Sequence, residues 1–339
     1  MVQVTKLAAL AAVCTTPATA HPGEKHDPAK IKREIIAREH WAHQGKRSLD
    51  ACSNTETARR FAARNSERRA REARERPIFA PSITDGPYYV WGEMIRSNVV
   101  EDDFSDGIPL HLEVQYYDIE TCQPIPDIYV DIWNANATGV YFGISTSGNY
   151  ATGGHNSTYP RGIQGTNEDG AATFDTIFPG HYDGRAIHTH LLAHMNVTVM
   201  PNNTLLIGSG SVTQVGQSFW NEVLRTNVEA TAPYNTNTQA IVSNADDLWS
   251  VLQASSDYDT FPEFLYLGDS IEDGLFAWKQ IGLYTSADWT DDDYYSIAAY
   301  IGEDGGYANA DSGFMGGGDG AGGNMTGSAM PSGTAAPAA

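Results

Sequence analysis

From about residue 80 onward the chain alternates apolar and polar residues with a period of two, and this limits what it can fold into more than any other feature. Leu110, Leu112, Val114 and Tyr116 fall on one side of a strand, as do Ile128, Val130 and Ile132, because successive side chains of an extended backbone point to opposite faces. Breaks rich in Pro, Gly and Asp separate the runs, the pattern of a sandwich of short strands. The segment is long enough to enclose one large core. The expected fold is therefore mainly β, with a β-sandwich domain over residues 79–301. Within it, residues 221–284 read as mixed and loop-rich, and 291–300 as a short closing helix or an irregular return.

Both flanks differ in composition. Residues 21–77 hold fifteen Lys or Arg against nine Asp or Glu, a net of +6, whereas 78–339 hold five against thirty-three, a net of −28. The basic segment, residues 21–78, reads as a helical arm. Ser53 and Glu56 form a capping box, the pattern runs to Arg76 before Pro77, and Glu67/Arg71 and Glu72/Arg76 are spaced for ion pairing along a helix. A shorter helix is expected around Lys30 to His43. Such an arm would pair with the acidic body of its own chain or of a second copy in a homodimer. Nucleic acid is excluded as a partner: the arm has only Trp41 and Phe61 as aromatics and no recognition motif. Residues 302–339 are Gly, Ala and Ser with few large side chains, and are expected to be a disordered, low-complexity tail.

The first twenty residues place Lys6 before the apolar stretch Leu7 to Val13 and end in Ala18-Thr19-Ala20, which reads as a signal peptide and predicts a secreted, extracellular protein. No later stretch is apolar over the length a bilayer requires, so no membrane partner is expected. Sequons at Asn136, Asn156, Asn196, Asn202 and Asn324 fit a glycoprotein, although Asn136 falls inside the densest motif and is not expected to carry sugar. With Cys14 removed, Cys52 and Cys122 remain, and an oxidising compartment would join them in a disulfide that stabilises by about 4 kcal/mol on loop entropy. Lys46-Arg47 could be a dibasic processing site or simply a solvated pair.

The chemistry concentrates in Arg185-Ala186-Ile187-His188-Thr189-His190. A His-x-His pair on a strand aims both imidazoles to one face, roughly 6.6 to 6.8 Å apart along the backbone, where they can converge on one ion. Two tyrosines precede it in unusual settings: Tyr141 follows the strand and polar turn of Val130 to Val140, and Tyr182 follows Phe174 to His181, a strand broken by Pro179 and Gly180. Two phenolates and two imidazoles make a hard, anionic N2O2 set suited to a ferric ion, whereas zinc more often takes thiolate, imidazole or carboxylate. Taken singly each residue has a plainer reading: a tyrosine is usually packing, Arg185 could be an ion-pair partner, and Gln217 could solvate a strand end. Trp133 reads as core, and His111, His181 and His194 as structural or surface histidines.

At these residues the chain resembles the intradiol ring-cleavage dioxygenases, catechol- and protocatechuate-dioxygenase-like, in their secreted fungal branch. The matching blocks are Thr84-Asp85-Gly86-Pro87-Tyr88-Tyr89, Asp118 to Pro126, Asp131 to Tyr141, Arg161-Gly162, Thr166 to Gly170, Phe174 to Tyr182, Arg185 to His190, and Gly216 to Phe219. They run in family order over roughly residues 80 to 290. The resemblance implies that Tyr141, Tyr182, His188 and His190 bind non-haem iron(III), with Tyr182 and His190 axial, and that no organic cofactor is used. It implies that Arg185 stabilises charge on the substrate ring, that Gln217 works beside it, and that Tyr182 also serves catalytically by leaving the metal and taking a proton. The implied reaction opens a catechol-type phenol between its hydroxylated carbons with O2, giving a muconate-type diacid. One departure concerns the pocket: only five residues separate Tyr182 from His188, where the bacterial enzymes have a longer segment. Two other readings stand beside this one. One is a non-catalytic, metal-containing β-sandwich module that binds plant-wall phenolics or carbohydrate. The other is a cupin-like metalloenzyme, disfavoured because no Glu closely follows His190.

Overall fold

The computed structural model describes residues 79–310 apart from 102–105, 147–148, 255–257, 293–294 and 303. The leader, the basic arm, Cys52, Lys46-Arg47 and the sequon at Asn324 lie outside the described residues, as does most of the Gly-rich tail.

Strands β1 (Val90–Trp91), β2 (Pro109–Asp118), β3 (Tyr129–Trp133), β4 (Ser145–Thr146), β5 (Asn149–Tyr150), β6 (Arg161–Gly165), β7 (Ala171–Ile177), β8 (His188–Met195) and β9 (Ser211–Phe219) run in chain order to helix α1 (Glu222–Glu229). Helix α2 (Leu248–Gln253) and strands β10 (Glu263–Tyr266), β11 (Leu275–Leu283), β12 (Ala299–Gly302) and β13 (Gly305–Ala308) complete the fold. Two four-stranded sheets dominate, ordered β10-β11-β2-β7 and β6-β3-β8-β9. The β-sandwich expected from the alternation is the observed architecture. Leu110, Leu112, Val114 and Tyr116 all point inward and are essentially inaccessible. They share one apolar cluster with Phe174 from β7, Val130 and Ile132 from β3, and Leu191 and Ala193 from β8.

Because side chains alternate, the same strands carry a second set outward. Trp133 and Leu192 from the β6-β3-β8-β9 sheet pack instead with Tyr88, Tyr89, Val90 and Trp91 of the chain that crosses over them. The small sheet β1-β12-β13 extends this cover. The outer face of the second sheet is thus buried as a third layer, and the candidate site lies within it.

Of the two readings of residues 291–300, the irregular return is the one seen: the described residues of 291–298 form no helix and lead into β12, which pairs in parallel with β1. One feature of the C-terminal region departs from the sequence reading. Strand β13 lies beyond residue 301, where the domain was expected to end, and pairs with β12 as a hairpin. Its glycines read as low complexity, yet a Cβ on Gly306 would sit 1.7 Å from the His155 carbonyl oxygen. Gly306 N–H also donates to Asn156 Oδ1 at 2.8 Å. Close backbone packing, not chain flexibility, accounts for glycine there. Among the described residues no helix is long and apolar enough to cross a membrane.

Candidate metal centre

His188 and His190 open β8 and face away from the inner core. Cross-strand register sets their neighbours: Trp133 and Gln217 both lie opposite His190, and Phe219 lies opposite His188. Trp133 stacks on the His190 ring at 4.4 Å between centroids and 4° between planes, so the residue read as core also fixes an imidazole. His188 Nδ1 lies 2.6 Å from the Ala186 carbonyl oxygen. The carbonyl can only accept, so Nδ1 carries the proton and Nε2 presents its lone pair to the site.

The two phenols arrive on loops. After β3, Asn136 Oδ1 accepts the Thr138 and Val140 N–H groups at 3.0 and 2.9 Å, tightening the turn. Asn149 then clamps Tyr141 from both sides, accepting its N–H at 2.6 Å and donating to its carbonyl at 2.7 Å. Arg161 donates through Nε and Nη2 to the next carbonyl, Phe142 O, at 2.9 and 2.6 Å. Tyr182 follows the Pro179-Gly180 break, and Arg185 N–H closes its turn onto the Tyr182 carbonyl at 3.4 Å.

These elements bring the four sequence-predicted ligands together. His188 Nε2 lies 3.1 Å from His190 Nε2, 3.3 Å from Tyr141 Oη and 3.5 Å from Tyr182 Oη. Two donors about 2.0–2.1 Å from one ion, at angles of 90–110°, lie roughly 2.9–3.4 Å apart, so the His190 and Tyr141 spacings from His188 fit a single bound cation and that of Tyr182 lies just beyond the range. Among the described residues no group of three His, Cys, Asp or Glu is placed to hold a metal, and any metal here would therefore draw on phenol oxygens. Burial raises the Tyr141 and Tyr182 phenols above the ordinary range, with Arg185 pulling partly the other way. Burial, with Arg185 nearby, pushes His188 down to about 3. A neutral His188 imidazole and phenols that resist ionisation on their own make a pocket in which a highly charged hard cation would offset the cost of two buried phenolates.

Arg185 is fully buried beside this cluster. Its Nε lies 2.7 Å from Asp247 Oδ2, and its Nη2 donates to Gln217 Oε1 at 2.5 Å. Gln217 Nε2 in turn donates to the Thr84 carbonyl at 2.9 Å, so both residues matched by resemblance occupy one hydrogen-bonded chain. Burial alone would discharge Arg185 and Asp247, but their mutual attraction outweighs it, raising the arginine and lowering the carboxyl. Asp247 was not singled out from the sequence. It also accepts Ala186 N–H at 2.8 Å and caps α2 through the Trp249 and Ser250 N–H groups; its only sequence signal was an Asp before an apolar run, an ordinary N-cap. Tyr88, missed as well, stacks on Tyr141 at 4.6 Å.

Three other described histidines lie outside the cluster. His181 is buried between Glu229 and the Gln239 carbonyl, and His111 is a surface partner of Asp175. His194 lies further along the outer face with Tyr89, Asp131, Arg161 and Glu93, all buried. Burial pushes His194 down to about 3 and, against the pull of Arg161, raises Glu93 to about 8.

An intradiol ring-cleavage dioxygenase from Tetranychus urticae superposes with a TM-score of 0.51 at 28% identity, covering 64% of this chain and 98% of that one. The fold is that of the intradiol ring-cleavage dioxygenases. A second dioxygenase crystal structure matches with a TM-score of 0.52 at 27% identity over the same shares of the two chains. No protein-family model and no curated protein matches the sequence. The likeness to the intradiol ring-cleavage dioxygenases covers the sandwich, while the secreted fungal branch rests on the sequence resemblance alone.

Proposed function

We propose that the chain is a secreted, non-haem iron(III) intradiol dioxygenase that opens catechol-type phenols with O2 to muconate-type diacids. The observation that carries this reading is the gathering of Tyr141, Tyr182 and His190 around His188 Nε2, with donor separations of 3.1–3.5 Å from that atom. Bound iron(III) would supply a Lewis acid that draws electron density from a catecholate and makes its ring reactive toward O2.

The protein's residues supply the rest. Tyr182 Oη, the phenolate that the resemblance marks as leaving on substrate binding, accepts one catechol proton. Burial has raised its proton affinity above that of an ordinary phenol, so the transfer is favoured once the oxygen is freed. Arg185 stabilises negative charge on the ring. Asp247 and Gln217 hold its guanidinium in place in advance, so little reorganisation is required during reaction. Tyr88 and Trp133 hold two of the proposed ligands in place by stacking on Tyr141 and His190. Secretion is inferred from residues 1–20 and the sequons. The basic arm is assigned to pairing with the acidic body of the same or a second copy.

The test is the visible absorption spectrum of iron-loaded protein before and after anaerobic addition of catechol. A tyrosinate-to-iron(III) band that moves to longer wavelength with catechol is the expected result. A colourless iron-loaded protein would overturn the ligand assignment, whereas a coloured protein that does not turn over catechol would favour the non-catalytic, metal-containing binding module.

A further inference from the structure

The two phenols come from separate loops, and a third segment joins those loops. The Tyr141 and Tyr182 loops meet backbone to backbone: Gly180 N–H donates to the Asn136 carbonyl at 3.1 Å. A Cβ on Gly139, whose φ is +81°, would lie 2.0 Å from the His181 carbonyl oxygen. No room is left there for interlocking side chains, and polar groups from residues 237–239 span the junction instead. Asn237 Nδ2 donates to the His181 carbonyl at 2.7 Å. Gln239 reaches both loops with one amide. Its Nε2 donates to the Thr138 carbonyl at 3.3 Å and meets the Gly139 carbonyl at 3.5 Å, while its Oε1 accepts Asp183 N–H at 3.1 Å. The partners fix the amide's orientation, since carbonyls only accept and the Asp183 N–H only donates. The segment is itself held, because Asn237 Oδ1 accepts Gln239 N–H at 3.1 Å and the Gln239 carbonyl lies 3.1 Å from His181 Nε2.

We infer that Gln239 is a positioning residue for the iron centre, a staple that sets where Tyr182 stands relative to Tyr141; this rests on the iron(III) reading above. A primary amide combines a donor and an acceptor in one rigid plane, as these partners require. The resemblance marks Tyr182 as the ligand that leaves when substrate binds, so a staple on its loop would govern how readily that phenolate departs.

The test compares full-length wild type with Gln239→Glu, which keeps the acceptor for Asp183 N–H and loses the donor to Thr138 and Gly139. The readouts are the visible band, iron per chain, and the rate of iron loss to a chelator. The expected result is a shifted tyrosinate band and iron loss about tenfold faster, as for removal of an outer partner of a metal ligand, with an unchanged unfolding midpoint. If Gln239→Glu does not fold, Asn237→Ala, which releases the His181 carbonyl, is expected to shift the band in the same way. A coloured wild type with a variant of identical band and chelation rate overturns the staple alone. A colourless wild type overturns the staple together with the iron reading.

Discussion

The two faces of the β6-β3-β8-β9 sheet are built from the same strands and do opposite things. Inward, Val130, Ile132, Leu191 and Ala193 meet the other sheet in an apolar layer. Outward, one residue further along each strand, Asp131, Trp133, His188, His190 and His194 enter a buried layer of titratable and aromatic groups. The inner layer gains from burial without regard to direction. The outer layer is favourable only where each polar group meets a partner in good geometry. Register is the inner face's contribution to chemistry: a slip of one residue on β8 would place the histidines in the apolar core. The inner face therefore fixes where the donors stand, and the loops and caps above the outer face fix where they point.

That division can be broken from either side. The largest effect is expected at a ligand: His190→Ala should lose bound iron and the tyrosinate band, by more than the 10–100-fold in affinity that an outer-shell change costs, roughly, while circular dichroism stays native. Iron stoichiometry after gel filtration decides it, and full iron retention would remove His190 from the centre. Asp247→Ala should cost both stability and chemistry, because it leaves Arg185 buried without its carboxylate and uncaps α2. A loss of about 3–5 kcal/mol in denaturant unfolding is expected, together with loss of turnover in iron-loaded protein. Phe174→Ala, on the inner side, should cost a similar 3–5 kcal/mol, roughly, through the cavity it leaves. Its visible band and iron content should match wild type. A shifted band in that variant would mean that the inner layer tunes the chemistry as well as the register.

How much was legible follows the same line. Period-two strands could be read because alternation is local, and the His-x-His pair because the same alternation aims both rings to one side. The phenols became visible only as a resemblance, since no local rule separates Tyr141 and Tyr182 from the other tyrosines of a chain that has seventeen. Asp247 and Gln239 were not legible. Their partners lie 62 and 56 or more residues away, and their side chains satisfy ordinary local roles as an N-cap and a loop amide. The β12-β13 hairpin was missed because glycine required by close packing has the same composition as glycine in a tail. The basic arm, for which the sequence offers the clearest helix signals, lies outside the described residues.

The smallest expected effect probes the far end of the outer layer, where Glu93 and Arg161 lie 3.7 Å apart and both are buried. If burial dominates, as its rise to about 8 indicates, Glu93 is protonated in the fold at pH 5 and 7 but ionised when unfolded above about 4.5. The folded state then binds the extra proton between these values, so this group's contribution to stability is full below pH 4.5 and is lost as pH rises toward 8. His194 acts in the opposite direction. Burial holds it neutral, with its value lowered to about 3, so its contribution is complete above the ordinary histidine value of about 6.5 and is lost on acidification. Gln is the closest mimic of a protonated Glu, and Glu93→Gln should therefore leave the unfolding midpoint near that of wild type at pH 5. At pH 8 the variant should be the more stable of the two, because it no longer has a buried carboxyl under pressure to ionise. Denaturant midpoints for both proteins at pH 5 and 8 decide the matter. A variant clearly less stable at pH 8 would mean that Glu93 is ionised and that its attraction to Arg161, the residue gripping the Tyr141 loop through Phe142 O, outweighs the cost of burying the charge.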